Sequence, residues 1–426
     1  MEIFGLVGRL EDHGHYFHWD ELRRRKPPQG LSHHEWWLIT KMTRLNVLRK
    51  IPLTDRAGQY FSFCVPDLVQ EDLHQIDSGG RGRVDMPSSP ITNPHTRDSY
   101  LVSSLMEEAI TSSQLEGAIT TREVAKAMIR SGRKPRDNSE RMILNNYTTM
   151  QRIRGFKDFS LTPELVFQIH QLVTHQTLEN PGAAGRFRRA DEWRYVGDDE
   201  GEIFHDPPKA DELPARLEAM CAFANEETPG HFVHPVVRAI ILHFWLAYDH
   251  PFVDGNGRTA RALFYWAMLR HGYWLFEFIS ISSILRKAPI KYYRSFLHTE
   301  TDDNDLTYFV ISQSKVIRRA ISELHRYIDR KTTELRDVES HLRALDHFNH
   351  RQTALIRHAL KHPGFRYTII GHQESHKIAY QTARTDLLHL ADKGILEQRK
   401  RGREFTFIAP ADLGDRMLKL EREGGL

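Results

Sequence analysis

The stretch HPVVRAIILHFWLAYDHPFVDGNGRTARALFYWAMLRHG, residues 234–272, is two apolar segments joined by a short polar loop. The first segment reads as a helix that must stop near Pro251, because proline lacks an N–H and disfavours a helical residue before it. The next helix is predicted to begin around Arg258. Between them, Gly255-Asn256-Gly257 allows positive φ and turns several backbone N–H groups inward. A glycine-rich turn feeding a helix N-terminus is a prepared anion site. Arg258 and Arg261 are three apart and share one helix face. Two guanidiniums beside such a nest suit a polyphosphate. Asp254 is an odd neighbour for phosphates unless it holds a cation, and Mg²⁺ binds through one or two carboxylates plus phosphate oxygens. His250, at the end of the first helix, is placed to accept a proton from an incoming hydroxyl. The implied chemistry is attack by an alcohol on a Mg-bound nucleotide phosphate. No Gly-Lys-Ser/Thr follows, so this is not a Walker A loop.

Outward from that loop, helical spacing dominates. DSYLVSSLMEEAITSSQLEGA, TTREVAKAMIRSG, SERMILNNYTTMQRI and TPELVFQIHQLVTHQT all repeat apolar residues at three and four, with Pro163 in a helix first turn. Residues 185–208 break the rhythm: strand-like pieces Trp193–Val196 and Glu202–His205 flank an acidic turn and predict a β-hairpin. A last long helix is expected over Leu306–Lys331. Upstream, residues 1–100 are rich in Pro, Gly, His and aromatics, with a helix from Ser32 as N-cap and Glu35 at N3. Residues 77–99 read as a linker or long loop.

The whole chain has 426 residues, 40% hydrophobic and 27% charged, ordinary for a soluble globular protein of two or three domains. Its 59 basic and 56 acidic residues nearly cancel, which excludes a global polyanion-binding signature. Residues 351–410 are the exception, with 11 Lys/Arg against 5 Asp/Glu. There the pattern is helix, short helix, helix, then strands around Arg401-Gly402-Arg403, the grammar of a winged helix-turn-helix. Cys64 and Cys221 have no metal-ligand spacing and read as reduced thiols. No apolar run reaches membrane-spanning length, and the first twenty residues lack the apolar core of a signal peptide. A cytoplasmic protein without a membrane partner is the expectation.

HPFVDGNGRTAR resembles the HPFx(D/E)GNGRxxR signature of the Fic (filamentation induced by cyclic AMP) domain, matching every defined position. The resemblance covers about residues 100–335 and implies a mainly α helical bundle with a β-hairpin flap. It implies transfer of AMP from ATP to a hydroxyl of a target protein. Carried over residue by residue, His250 is the general base, Asp254 the Mg²⁺ ligand, and Phe252 the core anchor of the loop. Gly255, Asn256 and Gly257 line the anion hole; Arg258 and Arg261 hold phosphates. AGRFR and the 193–205 hairpin look like the flap that clamps a target by main-chain pairing, with Ile203, Phe204 and His205 on its second strand. Tyr292 and Tyr293, in KYYRSF, sit where the family places part of its adenine pocket; simple core aromatics are the other reading. Family kinases have lysine where this chain has Gly257, and phosphocholine-transferring members have alanine where it has Gly255. Both glycines point to nucleotidyl transfer.

SSQLEG, residues 112–117, puts Ser112 and Glu116 on one helix face. It is similar to the inhibitory motif (S/T)xxxE(G/N) of Fic proteins that carry an inhibitory helix before the core. The resemblance implies that Glu116 pairs with Arg261 and keeps it from the γ-phosphate. In some relatives the same glutamate serves hydrolytic removal of AMP, and the sequence leaves that reading open.

The expected organisation is an N-terminal region with linker over 1–99, a Fic core over 100–335 and a winged-helix domain over 336–426. In the last, a recognition helix starting near Tyr380 places Gln381, Thr382 and Arg384 at a major groove, with Arg401 and Arg403 on backbone phosphates. Protein contact through the same domain is the other reading. The expected partners are ATP, a target protein, DNA and a second copy of the chain. Two rivals stand beside the adenylyltransferase: a de-AMPylating or dual enzyme, and a DNA-binding regulator whose core senses nucleotide.

Overall fold

A computed structural model describes residues 14–28, 30–81, 94–192, 195–197, 203–344, 348–401 and 404–422. The chain forms two compact units. One comprises residues 1–82 and 104–322, the other 83–103 and 323–426.

In the first unit a one-turn helix at Trp19–Leu22 precedes α1 (His33–Leu45), where Ser32 and Glu35 close a capping box as expected. A hairpin follows, β1 (Arg49–Thr54) with β2 (Tyr60–Phe63), then α2 (Asp67–Arg81) and α3 (Pro94–Leu115). Residues 77–81 and 94–99 are thus helical where composition suggests a linker. Tertiary packing overrides glycine's low helix propensity in α2: at Gly80 a Cβ would sit 3.2 Å from the Tyr273 ring. Four helices complete the approach to the loop: α4 (Arg122–Ser131), α5 (Asn138–Phe156), α6 (Pro163–Val173, with Pro163 in its first turn) and, after the flap strands, α7 (Leu213–Ala224). The described part of the flap is a short antiparallel pair. β3 (Val196–Gly197) pairs antiparallel with β4 (Ile203–His205), while Trp193, Arg194 and the turn 198–202 lie outside the described residues.

The two apolar segments of the opening stretch become α8 (Pro235–Asp249) and α9 (Asn256–Arg270). Both are buried on nearly every face, the mark of central helices that other elements surround. Next come α10 (Ile281–Lys287), α11 (Pro289–Thr301) and α12 (Thr307–Ala344). Helix α12 outruns its predicted end at Lys331 and crosses the expected boundary at 335/336. Residues 332–344 contain no Gly or Pro to stop it and are rich in helix formers.

In the second unit, α13 (His350–Lys361), β5 (Arg366–Thr368), α14 (Ile369–His376), α15 (Tyr380–Asp392), β6 (Glu397–Arg401), β7 (Glu404–Ile408) and α16 (Leu413–Arg422) follow in order. The sheet is antiparallel in the order β5-β7-β6. Strand β5, of three residues, and helix α16, whose Leu413, Met417 and Leu420 face this unit's core, have no counterpart in the sequence-based expectations. Leu355, Ile356, Leu387, Leu390, Ile395 and Phe407 form this unit's own core. Inside it, Asp386 of α15 accepts from Asn349 (2.8 Å) and Arg351 (2.8 Å) and contacts His372 of α14 (3.3 Å).

Candidate active site

Helix α8 ends where Pro251 requires. Its C-cap is His250, in the left-handed conformation at φ 44°, ψ 53°, a region that costs a residue with a side chain. The next turn is pinned by reciprocal hydrogen bonds: Phe252 N–H donates to Asn256 Oδ1 and Asn256 Nδ2 to the Phe252 carbonyl, both 2.9 Å. Asn256 is therefore a loop fastener through its side chain. Phe252, fully buried, anchors the loop as expected and stacks on the His170 ring at 3.8 Å. Gly255 takes φ 83°, and a Cβ there would strike the Thr174 methyl. Helix α9 starts at Asn256, two residues earlier than predicted, so its first N–H groups lie within the glycine turn.

His250 sits with Nδ1–H toward the Ala247 carbonyl (3.4 Å), which leaves Nε2 as the ring's free lone pair. Burial, with His205 adding to it, pushes the imidazole down to about 4, so the ring is neutral at physiological pH. Asp254 projects half-exposed, with Oδ2 3.2 Å from Arg258 and Oδ1 2.5 Å from the Gly255 N–H. Arg258 is fully buried, donates to the Val173 carbonyl (3.3 Å), and its Nε lacks a partner among the described residues. Arg261 is also buried. It donates to Ser112 Oγ (2.8 Å), the Ser112 carbonyl (2.9 Å) and Glu116 Oε1 (2.9 Å). Burial works against its charge, but Glu116 holds the guanidinium firmly protonated. Glu116 lies just past α3 rather than within it, in a turn closed by Gly117 at φ 89°. Its carboxylate also fills the space over Gly257, where a Cβ would collide with it.

The predicted residues around this centre divide. Tyr292 is buried, bonds His243 (2.9 Å) and packs on Phe296, whereas Tyr293 is half-exposed on α11. Ile203 and Phe204 are exposed on the flap. His205 turns inward instead, with both ring nitrogens engaged by Glu300 (2.7 Å) and the Tyr248 carbonyl (2.6 Å). Gln381, Thr382 and Arg384 lie in the first turns of α15, in the other unit. Arg401 ends β6, and Arg403 lies outside the described residues.

Three residues here went unassigned in the sequence reading. Arg188 Nε donates to the His250 carbonyl (2.9 Å), its own N–H donates to the Pro251 carbonyl (2.9 Å), and it also reaches the Pro208 carbonyl. Its signal was in plain view as the last residue of AGRFR. His170 accepts from the Gly185 N–H at Nδ1 (2.9 Å) and so donates from Nε2 to the Asp254 carbonyl (2.8 Å). Burial holds it neutral, down to about 4. Glu108, buried on α3 one turn before Ser112, accepts from Tyr265 (2.9 Å), Ser280 (2.9 Å) and Ser282 Oγ (2.5 Å). A glutamate inside a helix gives no sequence sign of such a role.

The arrangement gathers a neutral base, a nest of N–H groups with two buried arginines, and a half-exposed carboxylate at one helix junction. Comparison with known proteins agrees. Residues 160–268 match the model of the Fic/DOC family. The chain is 27% identical over 231 residues to Protein adenylyltransferase Fic of Nematostella vectensis, spanning 52% of this chain and 51% of that protein. It is 34% identical over 113 residues to its namesake in Drosophila mojavensis, spanning 26% and 20%. The chain thus spans about half or less of the curated relatives it matches. Among solved structures, a Fic family protein from Desulfovibrio desulfuricans G20 superposes with a TM-score of 0.55 at 19% identity, covering 84% of this chain and 98% of that one. Fic-1 from C. elegans superposes with a TM-score of 0.50 at 18% identity, covering 72% and 79%. The loop from His250 to Arg261 lies inside the matched residues, so residues 160–268 are what this chain shares with the Fic/DOC family.

Proposed function

We propose that the chain is a protein adenylyltransferase that moves AMP from ATP to a hydroxyl of a target protein. The observation that carries this reading is His250, a half-buried neutral imidazole with a free Nε2, at the mouth of the α9 N-terminus with its two buried arginines. The target oxygen bonds to the α-phosphorus, the bond from that phosphorus to the β-bridging oxygen breaks, and pyrophosphate leaves. Nε2 of His250 takes the hydroxyl proton. The α9 N–H groups and Arg258 hold phosphate oxygens, and Arg261 serves the γ-phosphate once released from Glu116. Asp254 suits Mg²⁺: it is a half-exposed carboxylate beside the phosphate nest, and its carbonyl is fixed by His170. The metal would neutralise charge on the leaving pyrophosphate. Exposed Ile203 and Phe204 suit docking of the target along β4, and half-exposed Tyr293 is the better adenine contact of the tyrosine pair. ATP as substrate and Mg²⁺ as cofactor, with two buried free thiols, fit a cytoplasmic setting. Among the described residues, no helix is long and apolar enough to cross a membrane.

The resting state is restrained by Glu116 in this reading, because the carboxylate occupies both Arg261 and the space over Gly257. The test is intact mass of a candidate target, or of the chain itself, after incubation with ATP and Mg²⁺. One added AMP unit is expected, and His250→Ala should lower its rate by about 10²- to 10⁴-fold while ATP still binds. Undiminished transfer by that variant would remove His250 as the base.

A second reading, for the unit of residues 323–426, is DNA binding. Helices α14 and α15 are separated by a three-residue turn whose first member, Lys377, takes φ 51°. That spacing suits a helix-turn-helix. Lys377, Gln381 and Arg384 make no side-chain hydrogen bond or ion pair with another described residue, whereas Asp386 and Glu397 are engaged by Arg351 and Arg416. Lys377 is exposed and Arg384 half-buried where the nearby acids Asp386 and Glu397 are engaged; Glu374 and Asp392 are the exposed acids on these two helices.

A further inference from the structure

The last turn of α8 is held at three consecutive residues from three directions. His205 of β4 meets the Tyr248 carbonyl, Arg216 of α7 meets the Asp249 carboxylate, and Arg188 meets the His250 carbonyl. Asp249 is the unexpected member. It is buried at a helix C-terminus, where both the helix dipole and the loss of water oppose a carboxylate. An apolar residue would serve packing better. Both its oxygens are engaged: Oδ1 accepts from Arg216 Nε (2.9 Å) and Nη2 (2.6 Å), and Oδ2 from Trp245 Nε1 (3.0 Å).

The same guanidinium continues outward. Arg216 Nη2 donates to the Thr54 carbonyl (2.7 Å) and Nη1 lies 3.2 Å from Thr54 Oγ1. Thr54 is the last residue of β1. The next two residues extend the connection: Asp55 accepts from Asn304 (2.8 Å), and Arg56 pairs with Asp206, directly after the flap strand β4. The β1–β2 turn therefore touches both the brace behind His250 and the base of the flap. All of these residues belong to one unit.

We propose that Arg216 is a positioning residue for His250, and that through it the N-terminal hairpin β1–β2 is tied to the placement of the catalytic base. His250 occupies a backbone conformation that only surrounding contacts sustain. Asp249 is its immediate neighbour, so the carboxylate fixes the direction in which the chain enters the left-handed turn. Arg188 fixes the direction in which it leaves. Without Arg216, Asp249 is left unpaired in the interior and must turn toward water, and the imidazole moves with it. A shift on the order of 1 Å in a base is enough to cost about a hundredfold in rate. Phosphate binding depends on α9 and is not touched.

The inference rests on the AMP-transfer reading, and its test separates the two. Steady-state transfer is measured in the full-length chain carrying Glu116→Gly, alone and with Arg216→Met or Arg216→Lys. Arg216→Met should lower kcat by about 10- to 100-fold, with KM for ATP changed by less than about twofold. Arg216→Lys should recover part of the loss, since an ammonium can serve Asp249 but not Thr54 at the same time. In parallel, histidine labelled at Cε1 reports the His250 ring by NMR, with the signal assigned by its loss in His250→Gln. It should move in Arg216→Met and lie between the two positions in Arg216→Lys. An unchanged kcat, an unmoved His250 signal, or loss of kcat and ATP affinity together with a lowered Tm overturns the proposal. If the Glu116→Gly chain transfers no AMP at all, the transfer reading fails, and the NMR comparison alone decides the role of Arg216.

Discussion

Glu116 Oε1 lies 2.9 Å from the Arg261 guanidinium, and the same carboxylate stands over Gly257 at the start of α9. One side chain thus pairs with the buried guanidinium and fills the space at the α9 N-terminus, the two features assigned to phosphate in the proposed function. A charge-assisted hydrogen bond of this kind contributes roughly 1.5–3 kcal/mol.

Glu116→Gly should therefore raise self-labelling from α-labelled ATP by about 10- to 100-fold, the range that such a bond converts to. Adding Arg261→Ala should abolish the gain, because the freed arginine is what it depends on. Equal labelling of wild type and Glu116→Gly would reduce SSQLEG to an ordinary helix end. Slower removal of AMP from a pre-modified target by Glu116→Gly would favour the hydrolytic role instead.

Asp254→Ala removes the half-exposed carboxylate beside the nest and leaves Arg258 without its side-chain acceptor. The Mg²⁺ concentration for half-maximal transfer should rise on the order of tenfold or more, and the maximal rate should fall. A titration that superposes on wild type would leave Asp254 as a turn residue.

Acid should destabilise the fold before ordinary carboxylates titrate. Burial lowers His250 and His170 to about 4 and His243 to about 3. Unfolding returns each ring to its usual value near 6.5, so the unfolded chain binds more protons through the interval between 6.5 and 4. Stability is then fully present above 6.5 and declines as pH falls through that interval. Thermal melts should show a lower Tm at pH 5.0 than at pH 7.5; a Tm unchanged or higher at pH 5.0 contradicts buried neutral rings.

Double charge reversal, Lys377→Glu with Arg384→Glu, should weaken binding of a fluorescent DNA duplex by the full-length chain at least tenfold, on the scale set by losing two phosphate neutralisations. Wild-type affinity should fall steeply with added KCl. Absence of binding, or affinity indifferent to salt and to the double reversal, assigns the surface to protein contact. Adenylylation should be unaffected by the variant.

The motif from His250 to Arg261 was legible because its chemistry is concentrated in twelve residues and its neighbours are two strongly apolar helices. Ser112 and Glu116 were legible for a similar reason, although the structure puts Glu116 past the helix end. Arg188 ends the AGRFR segment and could have been found there, whereas His170, Arg216 and Glu108 each act through a contact distant in sequence and carry no local signature. Pro52 interrupts β1, and this masked a hairpin whose alternation of Ile51 and Leu53 with Phe61 and Phe63 is otherwise clear. The end of α12 was missed because Lys331 interrupts the apolar spacing, which resumes at Leu335, Val338 and Leu342.

Glu108 sets the scale of any release. Its carboxylate, fastened to Tyr265, Ser280 and Ser282, nails α3 to the core barely two turns before Glu116. The helix is therefore not a gate that swings on a distant pivot. Past Glu108 the chain is held to α9 by Ser112 and Glu116, which both accept from Arg261. In the proposed reading an activator has to loosen the stretch from Thr111 to Gly117, and a binder that merely grips the start of α3 leaves Glu116 on Arg261.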